Sequence, residues 1–159
     1  MARKTFFSFH YALDCWRASQ IKNSWVTQED RESAGFFNSV EWEQVKKKQD
    51  SEIEKWIDGQ LNGTSVTVVL IGSNTAGRKW INYEIVSSHK RGNGLLGIYV
   101  HNQKNSKGLT STKGRNPFDD WQVQGVSFSS MYPTYDWVVN NGYNNMGKWI
   151  DEAAKKAGR

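Results

Sequence analysis

At 159 residues, 13% of them aromatic and 23% charged, the chain is long enough and apolar enough to bury a core, which excludes a disordered or low-complexity polymer. Its net charge of +5 comes from scattered lysines and arginines, the densest being Lys46-Lys47-Lys48, so it implies a solvated face and no nucleic-acid partner. The single cysteine, Cys15, excludes an internal disulfide, and no apolar run is long enough for a signal peptide or a membrane span; a cytoplasmic protein with no membrane partner is expected.

The aromatic-rich run from Lys4 to His10, "KTFFSFH", suits a central strand. A helix is expected from Tyr11 to about Asn23, with Ala12, Cys15, Trp16 and Ser19 on its apolar face, and "SWVT" reads as a short second strand. Gln28 to Ser39 reads as an irregular loop bearing Phe36 and Phe37. A long helical region, Glu41 to Leu61, follows. Ser51 and Glu54 have capping-box spacing within it, Ile53, Trp56, Ile57 and Leu61 share one face, and Asn62-Gly63 provides the stop.

Ser65 to Ile71, "SVTVVLI", is β-branched and nearly continuous, as a strand buried on both faces should be. The turn Gly72-Ser73-Asn74-Thr75 leads to a helix of about Arg78 to Arg91 with Ile81, Ile85 and Ser88 inward and Gly92 at a left-handed cap. Leu95 to Val100 is the next strand, and His101 to about Val123 is a long polar loop of the functional or disordered kind. Tyr135 to Val139 reads as a last strand, and Tyr143, Met146, Trp149, Ile150, Ala153 and Ala157 stripe a closing helix. With no repeat and no linker, residues 1–159 read as a single domain: an α/β fold with a parallel sheet and helices on both faces. Ligands of such folds bind outside the carboxyl ends of the strands, here Ser8 to Tyr11, Ile71 to Gly77 and Val100 to Gln103.

Gly72 and Gly77 have the spacing of a phosphate-binding P-loop, but Arg78-Lys79 stands where Lys followed by Ser or Thr is needed, so nucleotide triphosphate hydrolysis is excluded. Backbone N–H groups with Arg78 and Lys79 still suit an anion such as a pyrophosphate, and an ordinary turn explains them equally. His10, His89 and His101 lack ligand spacing, so no metal is expected. Glu84 lies four residues after Trp80, one turn along the same helix face; W-x-x-x-E is a shielded carboxylate beside a flat indole, or a plain surface pair.

"RKTFFSFHYALDCWRASQIKNSWV" followed by "VTVVLIGSNTAGRKWINYEI" resembles the bacterial TIR-like proteins, and among them the ThsB family of the Thoeris anti-phage system. The resemblance implies a flavodoxin-like TIR-type sheet and cleavage of NAD+ as substrate, with no separate cofactor. Glu84 would be the catalytic residue, Trp80 its neighbour, and Ser8, Phe9, His10, Ser73, Asn74 and Thr75 the lining of the nucleotide site. It further implies a cyclic ADP-ribose isomer as an antiviral second messenger for a ThsA effector, a phage trigger, and a site completed in a homo-oligomer. Cleaving the nicotinamide–ribose bond releases a neutral pyridine, so one carboxylate suffices where ordinary glycosidases need two. A non-catalytic TIR-like scaffold acting by protein contact is the alternative, with Glu84 a helix-surface acid.

Overall fold

The computed structural model describes residues 3–26, 31–34 and 39–159, and Phe36 and Phe37 lie outside them. The core is a five-stranded sheet in the order β2-β1-β3-β4-β7, with every neighbouring pair parallel. Its strands are β1 (Arg3–Ser8), β2 (Arg31–Ala34), β3 (Val66–Ile71), β4 (Gly94–Tyr99) and β7 (Thr134–Asp136). This is the flavodoxin-like, TIR-type arrangement, with the sheet centred on β1, β3 and β4.

Strand periodicity sorts the core into two layers. Val66, Val68 and Leu70 of β3 and Leu96 and Ile98 of β4 face α1 (Tyr11–Val26) and α6 (Gly142–Lys156), meeting Ile21, Trp25, Met146 and Ile150. On the opposite face Phe6 packs on Ile53, Ile57 and Leu61 of α3 (Asp50–Leu61). Val69 and Ile71 pack there on Ile81 and Ile85 of α4 (Lys79–Lys90) and on Phe118. All six residues of β3 are buried, as its β-branched run predicts.

Several expectations are corrected. "SWVT" is not a strand: Ser24–Val26 finish α1, where Trp25 sits one turn beyond Ile21 and its indole N–H donates to the carbonyl of Glu32 at 2.9 Å. The second strand is instead Arg31–Ala34, within the segment read as loop; pairing with β1 satisfies its backbone at the sheet edge, where a polar sequence is suitable. The long helical region breaks into α2 (Ser39–Lys46) and α3, the latter capped by Gln49 with no side-chain hydrogen bond, so Ser51 and Glu54 form no capping box. The α1 face is also different. Ala12 and Trp16 are exposed, whereas Asp14, Arg17, Ala18, Ile21 and Trp25 are buried. Tyr143 of α6 and Ala157 just past its end point to solvent, and β7 stops at Asp136, leaving Val138 and Val139 exposed.

The segment after β4 is an ordered strap along the carboxyl end of the sheet. It includes a 3-10 helix at Pro117–Asp120, the small hairpin β5 (Gln122–Val123) and β6 (Val126–Ser127), and α5 (Phe128–Met131). Asn116 caps the 3-10 helix by accepting from the Phe118 N–H at 2.9 Å, and Phe118 is fully buried beneath it. Among the described residues no helix is long and apolar enough to cross a membrane.

Candidate active site

At the carboxyl end of β1 and β3 the first turn of α4 faces the loop from β1 to α1 across a cavity of about 360 Å³. Phe7, Phe9, His10 and Tyr11 line one wall, and Gly77 to Ile81 with Glu84 line the other. The site therefore arises where an aromatic strand end meets a helix start, outside the sheet, as doubly wound folds require.

Glu84 is the chemically unusual member. Helical period places it between Ile81 and Ile85 on the inward face of α4, so the residue is only 4% exposed, on the pocket floor and not at a crevice rim. Burial pushes its pKa well above the ordinary carboxylate value, with the neighbouring Ser8 hydroxyl acting in the opposite direction. Ser8 is itself fully buried at the end of β1; its hydroxyl closes no hydrogen bond of good geometry, yet stands near enough to favour the anion. An acid held dry in this way is poised to respond to any positive charge entering the pocket.

The wall residues supply flat surfaces and charge. Trp80 lies one turn before Glu84, half-buried, and meets Tyr83 edge-to-face with ring centroids 6.0 Å apart. Phe9 and Tyr11 approach with centroids 6.1 Å apart on the facing loop. Lys79 is occupied: its ammonium pairs with Asp50 and lies 4.9 Å from the Trp80 ring centre. Arg78 makes no salt bridge among the described residues, and its Nε donates to the Asn74 carbonyl at 2.9 Å. Burial, and secondarily the charge of Arg78, lowers the His10 pKa, so its imidazole is neutral at physiological pH.

Of the residues singled out from sequence, the structure brings Phe9, His10, Arg78, Lys79, Trp80 and Glu84 into one cavity, with Ser8 directly beside Glu84. Ser73, Asn74 and Thr75 do not line it. Ser73 and Asn74 are exposed, and Thr75 is buried with its hydroxyl accepting from the Gly72 N–H at 2.9 Å. Of the three, Asn74 is tied to the cavity, its carbonyl accepting from Arg78 Nε. Tyr11 and Gly77, at the ends of segments read as facing the ligand, also line the cavity, whereas Phe7 and Ile81 were not anticipated, since pocket walls made of ordinary apolar residues carry no signature. Asp14 and Arg17, buried just behind the site, were also missed; their i, i+3 spacing of opposite charges was the available signal.

Residues 6–105 match the family model described as "Thoeris protein ThsB, TIR-like domain". The chain is also 35% identical over 193 aligned residues to a protein of Bacillus cereus (strain MSX-D12) named "Putative cyclic ADP-D-ribose synthase ThsB1", an alignment covering 95% of this chain and all of that relative. With a five-stranded parallel sheet of the expected order and an aromatic pocket holding the helix glutamate, the chain belongs to the ThsB family of TIR-like Thoeris proteins.

Proposed function

We propose that this protein is a TIR-type NAD+ glycohydrolase/cyclase that makes a cyclic ADP-ribose isomer, with Glu84 as its catalytic residue. The observation that carries this reading is a glutamate only 4% exposed in an aromatic-walled cavity that also holds an arginine without a salt bridge among the described residues. The end-to-end similarity to a relative named as a cyclic ADP-D-ribose synthase supports it.

When the nicotinamide–ribose bond breaks, its electron pair returns to the pyridinium nitrogen and neutral nicotinamide leaves without taking a proton. Positive charge develops on the anomeric carbon and ring oxygen, where a dry carboxylate stabilises it more strongly than water would. Because burial favours the neutral form of Glu84 in the empty pocket, entry of the cationic nicotinamide ring promotes its ionisation. Trp80 and Phe9 offer faces for the rings of the dinucleotide, Arg78 offers its guanidinium to the pyrophosphate, and neutral His10 offers a hydrogen bond to a ribose hydroxyl.

Attack by water then gives ADP-ribose and a proton. Attack by a hydroxyl or ring nitrogen of the same dinucleotide gives the cyclic isomer, again with loss of a proton, and requires water to be excluded while the two ends are held together. In this reading the product is a diffusible signal for a ThsA effector, synthesis follows a phage trigger, and the working site is completed in a homo-oligomer. The test is incubation of purified protein with NAD+, following nicotinamide release and product mass. Wild type should yield nicotinamide with a cyclic ADP-ribose isomer and Glu84→Gln neither; equal turnover by the two would remove Glu84 from the chemistry.

A further inference from the structure

We infer that Arg17 is a positioning residue, anchored by Asp14, whose guanidinium clamps the 103–109 segment onto α1 and thereby fixes the Gly72–Gly77 turn and Arg78 for dinucleotide binding. Its functional half rests on the nucleotide reading of the pocket.

Arg17 is 4% exposed, and all three of its nitrogens are used. Nε donates to the Gln103 carbonyl at 2.7 Å, Nη2 donates to the Leu109 carbonyl at 3.1 Å, and Nη1 stands 3.6 Å from the Asp14 carboxylate. The Gln103 amide returns a hydrogen bond to the Arg17 carbonyl at 3.4 Å. One side chain thus joins the first helix to a segment more than 80 positions further along the chain. The strap it holds is irregular and mostly exposed from Lys104 to Lys113, so its ordering is entropically unfavourable without such a contact. A planar fork of donors satisfies two carbonyls and a carboxylate together; a lysine ammonium at the same place cannot span them.

The clamp acts on the pocket through two close backbone approaches. A side chain at Gly72 would collide with the Asp14 carboxylate, and one at Gly114 would collide with the Gly72 carbonyl oxygen. The turn after β3 is therefore wedged between α1 and the strap. A Cβ at Gly77 would stand 3.0 Å from the Arg115 guanidinium, so contact with the strap persists to the residue before Arg78. Arg78 is in turn tied to this turn through the Asn74 carbonyl.

The experiment compares wild type with Arg17→Lys, which keeps a positive charge opposite Asp14, and with the double variant Arg17→Met/Asp14→Asn, which leaves neither charge buried alone. Amide hydrogen exchange is read at Gln103, Leu109 and Ser111, with β3 amides as the internal reference. Both variants should speed exchange in the strap about tenfold or more while β3 is unchanged. NAD+ KM should rise about tenfold with kcat held within about threefold. Strap exchange as slow as in wild type refutes the clamp, and a loosened strap with unchanged KM refutes its role in binding. If wild type turns over no NAD+, the exchange measurement still decides whether the clamp exists, and the enzymatic reading falls separately.

Discussion

Asp14→Asn should gain stability relative to wild type as pH rises toward neutrality. Burial raises the Asp14 pKa from 3.8 to about 6, against the opposing influence of Arg17, Thr75 and Arg78. The native state therefore holds the proton more tightly than the unfolded chain does. The stabilisation this provides is fully present below the unfolded pKa and is lost as pH rises through about 6. At about 1.4 kcal/mol per pKa unit, the ionised group leaves the folded state about 3 kcal/mol less stable than the neutral group would. Asparagine carries no charge at any pH and keeps a carbonyl oxygen for Arg17. Urea unfolding of both proteins from about pH 4 to about pH 7 gives a difference in which Glu84, His10 and every other titrating group cancel. Because pH 4 already lies just above the unfolded pKa, that difference should grow in favour of Asn by about 2.4 kcal/mol across this window, or roughly 5–10 °C in Tm for a chain of this size. A difference that stays flat, or that favours Asp as pH rises, would refute the description of Asp14 as a desolvated acid.

Three further outcomes are expected. Gly94→Ala should destabilise the fold by about 1–3 kcal/mol in urea unfolding while leaving NAD+ KM unchanged; its Cβ would stand 2.5 Å from the Ala153 carbonyl oxygen, at the opposite end of the sheet from the cavity. Arg78→Gln should raise NAD+ KM about tenfold and weaken the dependence of KM on salt, measured by initial rates at two ionic strengths. NAD+ affinity measured by calorimetry should increase with pH through the raised Glu84 pKa, with a proton released on binding, and this dependence should vanish in Glu84→Gln.

The regular parts of the fold were legible because hydrophobic period and burial agreed. β3 is apolar at nearly every position and buried at all of them, and Met146, Trp149, Ile150 and Ala153 stripe α6 as read. Where backbone pairing or ionic burial replaced hydrophobic burial, the pattern gave no signal. β2, Arg-Glu-Ser-Ala, is a strand because β1 offers a parallel edge, not because its side chains favour one. The inward face of α1 includes Asp14 and Arg17, so a search for apolar residues selected Ala12 and Trp16 and rotated the helix to the wrong side. The Trp80–Glu84 spacing placed both side chains on one face correctly. Its depth was not legible, since only the packing of Ile81 and Ile85 against Val69, Ile71 and Leu95 makes that face an inner one. Ser73, Asn74 and Thr75 illustrate the same limit: a loop at the right end of the sheet is visible in sequence, but which of its residues face the cavity is decided by the turn closed through Thr75 and Gly72.

The most direct measurement is mass spectrometry of small molecules from cells carrying wild-type or Glu84→Gln protein at matched soluble levels, before and after phage infection. A cyclic ADP-ribose species that accumulates after infection only with wild type is the predicted result. The same species in both strains, or in neither while NAD+ remains intact, would contradict NAD+ cleavage at Glu84.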